Sequence, residues 1–105
     1  MPSPLGLKIR DLRRARGLTL EQMAQATGSS KSYMWEVENK DVARPSGEKL
    51  NRLAAALGVT PEYLVDASRT EATEDVTDVA FYRRYQTLDP DAKDKIRRIL
   101  DLFDE

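Results

Sequence analysis

Leu18 to Asn39, LTLEQMAQATGSSKSYMWEVEN, is the stretch whose reading decides the fold. Thr19 followed three residues later by Gln22 is a capping box, in which each side chain satisfies the other residue's free backbone N–H, so a helix starts near Leu20. Met23 and Ala24 lie on its inner side, and Ala24 is small enough to let another helix cross closely. Gly28 is a left-handed stop. The turn is Gly28, Ser29, Ser30. Ser30 caps a second helix, read as residues 30–38, with Met34 and Val37 as an inward stripe at i and i+3. Lys31, Ser32, Trp35 and Glu36 are left facing outward. This is a helix-turn-helix whose second helix is presented to a partner.

Upstream, Ser3 and Pro4 form a cap with proline at the first helical position, where its missing N–H is no loss. Leu5, Ile9 and Leu12 then repeat at i, i+4 and i+7, and Gly17 stops the helix. Its other face holds Lys8, Arg10 and Arg14, which reads either as a solvated surface or as phosphate contact. Downstream, KDVARPS (40–46) has loop composition, and Pro45 disfavours helix at Arg44. Ser46 caps a fourth helix that buries Leu50, Leu53, Ala54 and Leu57 and ends at Gly58. Thr60 and Pro61 open a short fifth carrying Tyr63, Leu64 and Val65.

Residues 1–66 therefore make a complete small domain. Residues 67–77, ASRTEATEDVT, lack periodicity and read as a linker. Residues 78–105 regain apolar content at Val79, Phe81, Tyr82 and Tyr85. A last helix then opens at Asp89-Pro90 and carries Ile96, Ile99, Leu100 and Phe103 at i, i+3, i+4 and i+7. A two-helix hairpin of this size cannot bury both stripes alone. It packs on the first domain or, the favoured expectation, on a second copy through Phe81, Tyr85, Ile96, Ile99, Leu100 and Phe103.

The totals narrow the chemistry. In 105 residues there is no histidine and no cysteine. The usual metal ligands, thiol nucleophiles and imidazole bases are thus unavailable, and no metal or cofactor is expected. An S-x-x-K string at Ser46 to Lys49 is the one foothold for an enzyme, and capping explains its serine. No apolar run approaches the roughly 20 residues of a membrane span, and MPSPLGLKIR lacks an apolar signal core, so a cytoplasmic protein is expected. The net charge of -1 hides a gradient. Residues 1–40 carry seven basic and four acidic side chains, whereas residues 67–105 carry seven basic and ten acidic. A basic head and an acidic tail would face a polyanion one way round.

From about Leu7 to Val65 the chain resembles the phage-repressor/Cro-like helix-turn-helix regulators. The resemblance rests on RDLRRARGLTL, MAQATG, SKSYMWEVEN, Arg44-Pro45 and EKLNRLAAALGVTPEYL. It implies an all-α fold, a five-helix repressor-like DNA-binding domain with a C-terminal two-helix extension. It also implies a homodimer that binds a palindromic operator on double-stranded DNA, acting as a repressor. In such a motif the N-terminal side chains of the second helix meet base edges, which places Lys31, Ser32 and Glu36 as base readers. Lys8, Arg10, Tyr33, Asn39 and Arg44 are the expected backbone contacts, and Arg13 is expected to pair with Glu38 as a structural ion pair. Trp35 stands where many relatives carry a small polar residue and is expected to pack under the loop near Pro45. Three departures stand out. Leu20 replaces a phosphate-binding glutamine, Ser29 replaces an apolar turn residue and is expected to loosen the helix packing, and Lys40 replaces a glycine. The rival reading is an antitoxin or interaction adaptor whose acidic C-terminal hairpin holds a protein partner.

Overall fold

The computed structural model describes residues 2–40, 44–69 and 71–104. Within these residues all regular structure is helical: α1 (Pro4–Ala15), α2 (Leu20–Thr27), α3 (Lys31–Asn39), α4 (Gly47–Leu57), α5 (Pro61–Val65), α6 (Glu74–Gln86) and α7 (Pro90–Asp101). Every start but that of α6 is marked by a side-chain cap. The hydroxyls of Ser3, Ser30, Ser46 and Thr60 accept from the backbone N–H groups of Gly6, Tyr33, Lys49 and Tyr63. The Thr19–Gln22 capping box closes in both directions at 3.0 and 2.8 Å. Ser30 is therefore the cap of α3 rather than its first residue, and the helix runs one residue further than expected, to Asn39.

Helices α1 to α5 enclose one core. Ile9, Met23, Met34, Val37, Leu53, Leu57, Tyr63 and Leu64 are all buried in it, with Ala24 and Ala54 where helices cross. Gly6 brings α1 closest to α3, since a Cβ there would lie 2.6 Å from the Val37 carbonyl oxygen and 2.8 Å from that of Glu38. Only a residue without a side chain permits this backbone-to-backbone approach.

The expected linker is shorter than its composition suggests. Helix α6 begins at Glu74, so residues 74–77 are helical. Glu74 and Asp75 favour the first turn, where the helix dipole attracts negative charge. Val76 is buried in the main core and anchors that turn. Beyond it the hairpin pulls away, tied to α5 by an exposed Arg83–Glu62 ion pair at 3.0 Å. Overall extents of 51 × 28 × 24 Å and a radius of gyration of 15.2 Å exceed the about 13 Å of a compact chain this long. Residues 41–43 of the expected loop and Thr70 of the expected linker lie outside the described residues. No helix among the described residues is long and apolar enough to cross a membrane.

Candidate nucleic-acid interface

Helix α3 has two sides. Met34, Val37 and Glu38 are buried, while Lys31, Ser32, Trp35, Glu36 and Lys40 are exposed. Polar contacts add to the core packing of Met34 and Val37 in holding the helix. Arg13 from α1 donates through Nε and Nη2 to the two carboxylate oxygens of Glu38 at 2.7 and 3.1 Å, and its Nη1 donates to the Leu18 carbonyl at 2.8 Å. Glu38 is 1% exposed. A bidentate pair with every partner in place is the form in which a buried charge is tolerable. The pairing of Arg13 with Glu38 is thus present, and it ties the entry helix to the end of the presented one.

The turn between α2 and α3 is also held by cations. Gly28 takes the left-handed conformation (φ 65°), which leaves the last carbonyls of α2 without helical partners. Lys49 of α4 answers them: its Nζ lies 3.0 Å from the Gly28 carbonyl, 3.4 Å from that of Thr27 and 2.6 Å from Ser29 Oγ. Arg52 adds a longer contact of 3.4 Å to the Thr27 carbonyl. Two positive groups at a helix C-terminus also match its dipole. Ser29 therefore does not loosen the turn, because its hydroxyl is a docking point for Lys49. The same geometry gives the S-x-x-K string its roles, since the Ser46 hydroxyl accepts from the Lys49 backbone N–H while the Lys49 side chain clasps the turn.

The expected base readers lie together on the outer face. Lys31 reaches across the motif to Glu21 at 3.2 Å, and Glu36 pairs with Lys40 at 3.5 Å. Both pairs are exposed, so each holds its partner weakly and is free to exchange it for another. Ser32 is exposed beside them. Among the expected backbone contacts, Asn39 donates from Nδ2 to the Trp35 carbonyl at 2.9 Å, and Arg44 is exposed. Tyr33 is half-buried below the Lys49 ammonium, 5.5 Å from its ring, and burial pushes its phenol pKa up. The hydroxyl therefore stays protonated and able to donate.

Lys8 and Arg10 part company. Two residues separate them by about 200° around α1. Arg10 lies one turn on from Gly6, on the side of α1 that meets α3, and its buried Nε has no hydrogen-bond partner among the described residues. Lys8 points the other way. Its ammonium donates at 2.7 Å to the carbonyls of Tyr63 and Asp66 and sits 4.3 Å from the centre of the Tyr63 ring. Desolvation lowers its pKa against the opposing pull of Asp66. It staples α1 to the end of α5, so the ammonium expected at a phosphate is engaged with two carbonyls.

The Trp35 side chain is half exposed on the outer face of α3, at 50%, and residues 41–43 of the loop it was expected to meet lie outside the described residues. The six residues expected to pair two copies divide. Tyr85 and Ile96 are half-buried along the hairpin's own seam, where Lys93 and Arg97 stand 5.6 and 5.9 Å from the Tyr85 ring centre. Phe81, Ile99, Leu100 and Phe103 remain exposed.

Residues 4–67 match the helix-turn-helix domain model. An uncharacterised HTH-type transcriptional regulator of Bacillus subtilis, RghRB, is 39% identical over 66 residues, which is 63% of this chain and 48% of that protein. The chain thus spans about half the length of the curated relatives it matches. The biofilm regulator SinR, solved in complex with DNA, is 31% identical with a TM-score of 0.56 and covers 59% of this chain and 98% of its own. A complex of SinR with SinI extends the likeness of fold to 93% of this chain and 92% of that one, at 22% identity and a TM-score of 0.58.

Proposed function

The chain belongs to the helix-turn-helix domain family, in its phage-repressor/Cro-like form, and on that premise we propose that it is a sequence-specific DNA-binding transcriptional regulator. The observation that carries this reading is the division of α3: Arg13–Glu38 and Lys49 fix its inner side and its turn, while Lys31, Ser32 and Glu36 project outward with exchangeable partners. Lys31 donates to guanine O6 or N7, Glu36 accepts from cytosine N4, and Ser32 tolerates either donor or acceptor. Arg10, Tyr33, Asn39 and Arg44 contact the phosphates and fix the register.

The same proposal pairs two copies through the exposed stripe of the hairpin. A two-fold dimer then reads two half-sites about 34–36 Å apart in a palindromic operator and represses by occupying it. The names of the relatives support regulation.

Selection of the purified chain on random DNA duplexes across a salt series, with its mass in solution, tests the reading. Enrichment of a two-fold symmetric site by a dimer is the expected result. Lys31→Ala then loses affinity for that site and keeps its affinity for random DNA. Weak binding driven wholly by salt, with no enriched sequence, would overturn the regulator in favour of an interaction module. Co-purification of a small basic protein would then point to the antitoxin.

A further inference from the structure

We infer that Trp35 is a specificity determinant that reads the C5-methyl group of a thymine in the major groove. The inference rests on the DNA-binding reading above and goes beyond the three polar base readers. Trp35 is the only tryptophan in the chain. It is also the one large apolar side chain of α3 left exposed, since Met34 and Val37 on the same helix are buried. Its position is one turn after Lys31 and one turn before Asn39, so it shares their strip of the outer face. The Asn39 side chain is folded back onto the Trp35 backbone carbonyl at 2.9 Å.

The chemistry follows from what this face offers. Lys31, Ser32 and Glu36 supply donors and acceptors for the polar edges of base pairs. An indole supplies an apolar plane and a single donor, with no acceptor, so it cannot make the two-bonded contact that identifies guanine or adenine. The thymine methyl is the one apolar feature in the major-groove pattern of the four base pairs. A half-exposed indole presented to that groove matches the methyl and gains by removing both from water.

The test uses the full chain and the duplex enriched by selection, with each thymine replaced singly by deoxyuridine, a change that deletes the methyl alone. The expected result is one thymine in each half-site where uracil weakens binding about fourfold, the equivalent of one buried methyl. At that position Trp35→Ala binds the thymine and uracil duplexes equally, and Trp35→Phe keeps part of the preference. Trp35→Ala also leaves the melting temperature and the salt dependence on random DNA unchanged. An enriched site without an invariant thymine, uracil tolerated at every position, or a uracil penalty that persists in Trp35→Ala would each overturn the inference. So would a flatter salt dependence in Trp35→Ala, which would make the indole N–H a phosphate donor. These failures leave the regulator reading standing, whereas failure to enrich any sequence removes that reading and this inference together.

Discussion

Helices α4 and α7 are written in nearly the same way and end in opposite circumstances. Each is about three turns long, each has a side-chain cap accepting from the third residue on (Ser46 from Lys49 N, Asp89 from Ala92 N), and each carries an apolar stripe at helical spacing. In α4, Leu53, Ala54 and Leu57 are sealed in the core. In α7 no residue is buried, and Phe103 just beyond its end is 78% exposed. Caps and periodicity are local signals. They specify a helix and the direction of its apolar face, and they leave open what that face meets. The stripe of α4 is met within the same chain, and that of α7 is left largely exposed.

The comparison breaks or sharpens under five substitutions, of which the first has the largest effect. Glu38→Ala strands the Arg13 guanidinium in the α1–α5 unit, with an expected loss of about 3–5 kcal/mol by urea denaturation. A loss within error of zero would mean that the pair is not what holds α3. Next come two matched truncations. Leu57→Ala should lose about 2–5 kcal/mol at any protein concentration. Leu100→Ala should change the stability of the dilute monomer by no more than about 0.5 kcal/mol while shifting sedimentation equilibrium toward monomer. Equal losses at both sites would erase the difference between the two helices.

Lys49→Met keeps the alkyl stem and removes the ammonium from the turn, for an expected loss of about 1 kcal/mol in thermal unfolding. A neutral result would show the clasp to be decorative. The smallest effect belongs to the hairpin's tether. Arg83 beside Glu62 holds its carboxyl below the usual carboxylate range, chiefly through a direct hydrogen bond. With the folded pKa depressed, the stabilisation is full above the ordinary carboxylate pKa and is lost as pH falls through the lowered value. The small gap in melting temperature between the wild-type chain and Arg83→Ala should therefore be full at neutral pH and close as the pH falls below the ordinary glutamate pKa.

Legibility in the sequence follows the range of each interaction. Thr19, Ser30, Ser46, Thr60 and Asp89 announce their helices because a cap bond spans only three residues. Thr73 makes no such bond, and the apolar residues of α6 are spread around the helix, so its first turn was hidden in what reads as linker. Val76 in EATEDVT was the available signal, a lone apolar residue one turn before the visible stripe. The Arg13–Glu38 pair was legible only through the family resemblance. The tasks of Lys8 and Lys49 were not legible at all, because a lysine's partner is whatever carbonyl the tertiary fold brings within reach, 55 and 21 residues away in these two cases. Trp35 faces outward as its place on the helix reads, and its expected position under the loop turns partly on residues 41–43, outside those described.

The two-sidedness of α3 has a consequence for descent. Met34, Val37 and Glu38 answer to the rest of the fold, together with Gly6, whose missing side chain lets α1 lie against the carbonyls of Val37 and Glu38. Lys31, Ser32, Trp35 and Glu36 answer to nothing within the core. Inheritance can therefore act on the two sets at different tempos, holding the inner residues nearly still while the outer ones drift. A duplicated copy of this gene could change what the outer face meets within a few substitutions, with the scaffold passed down unchanged.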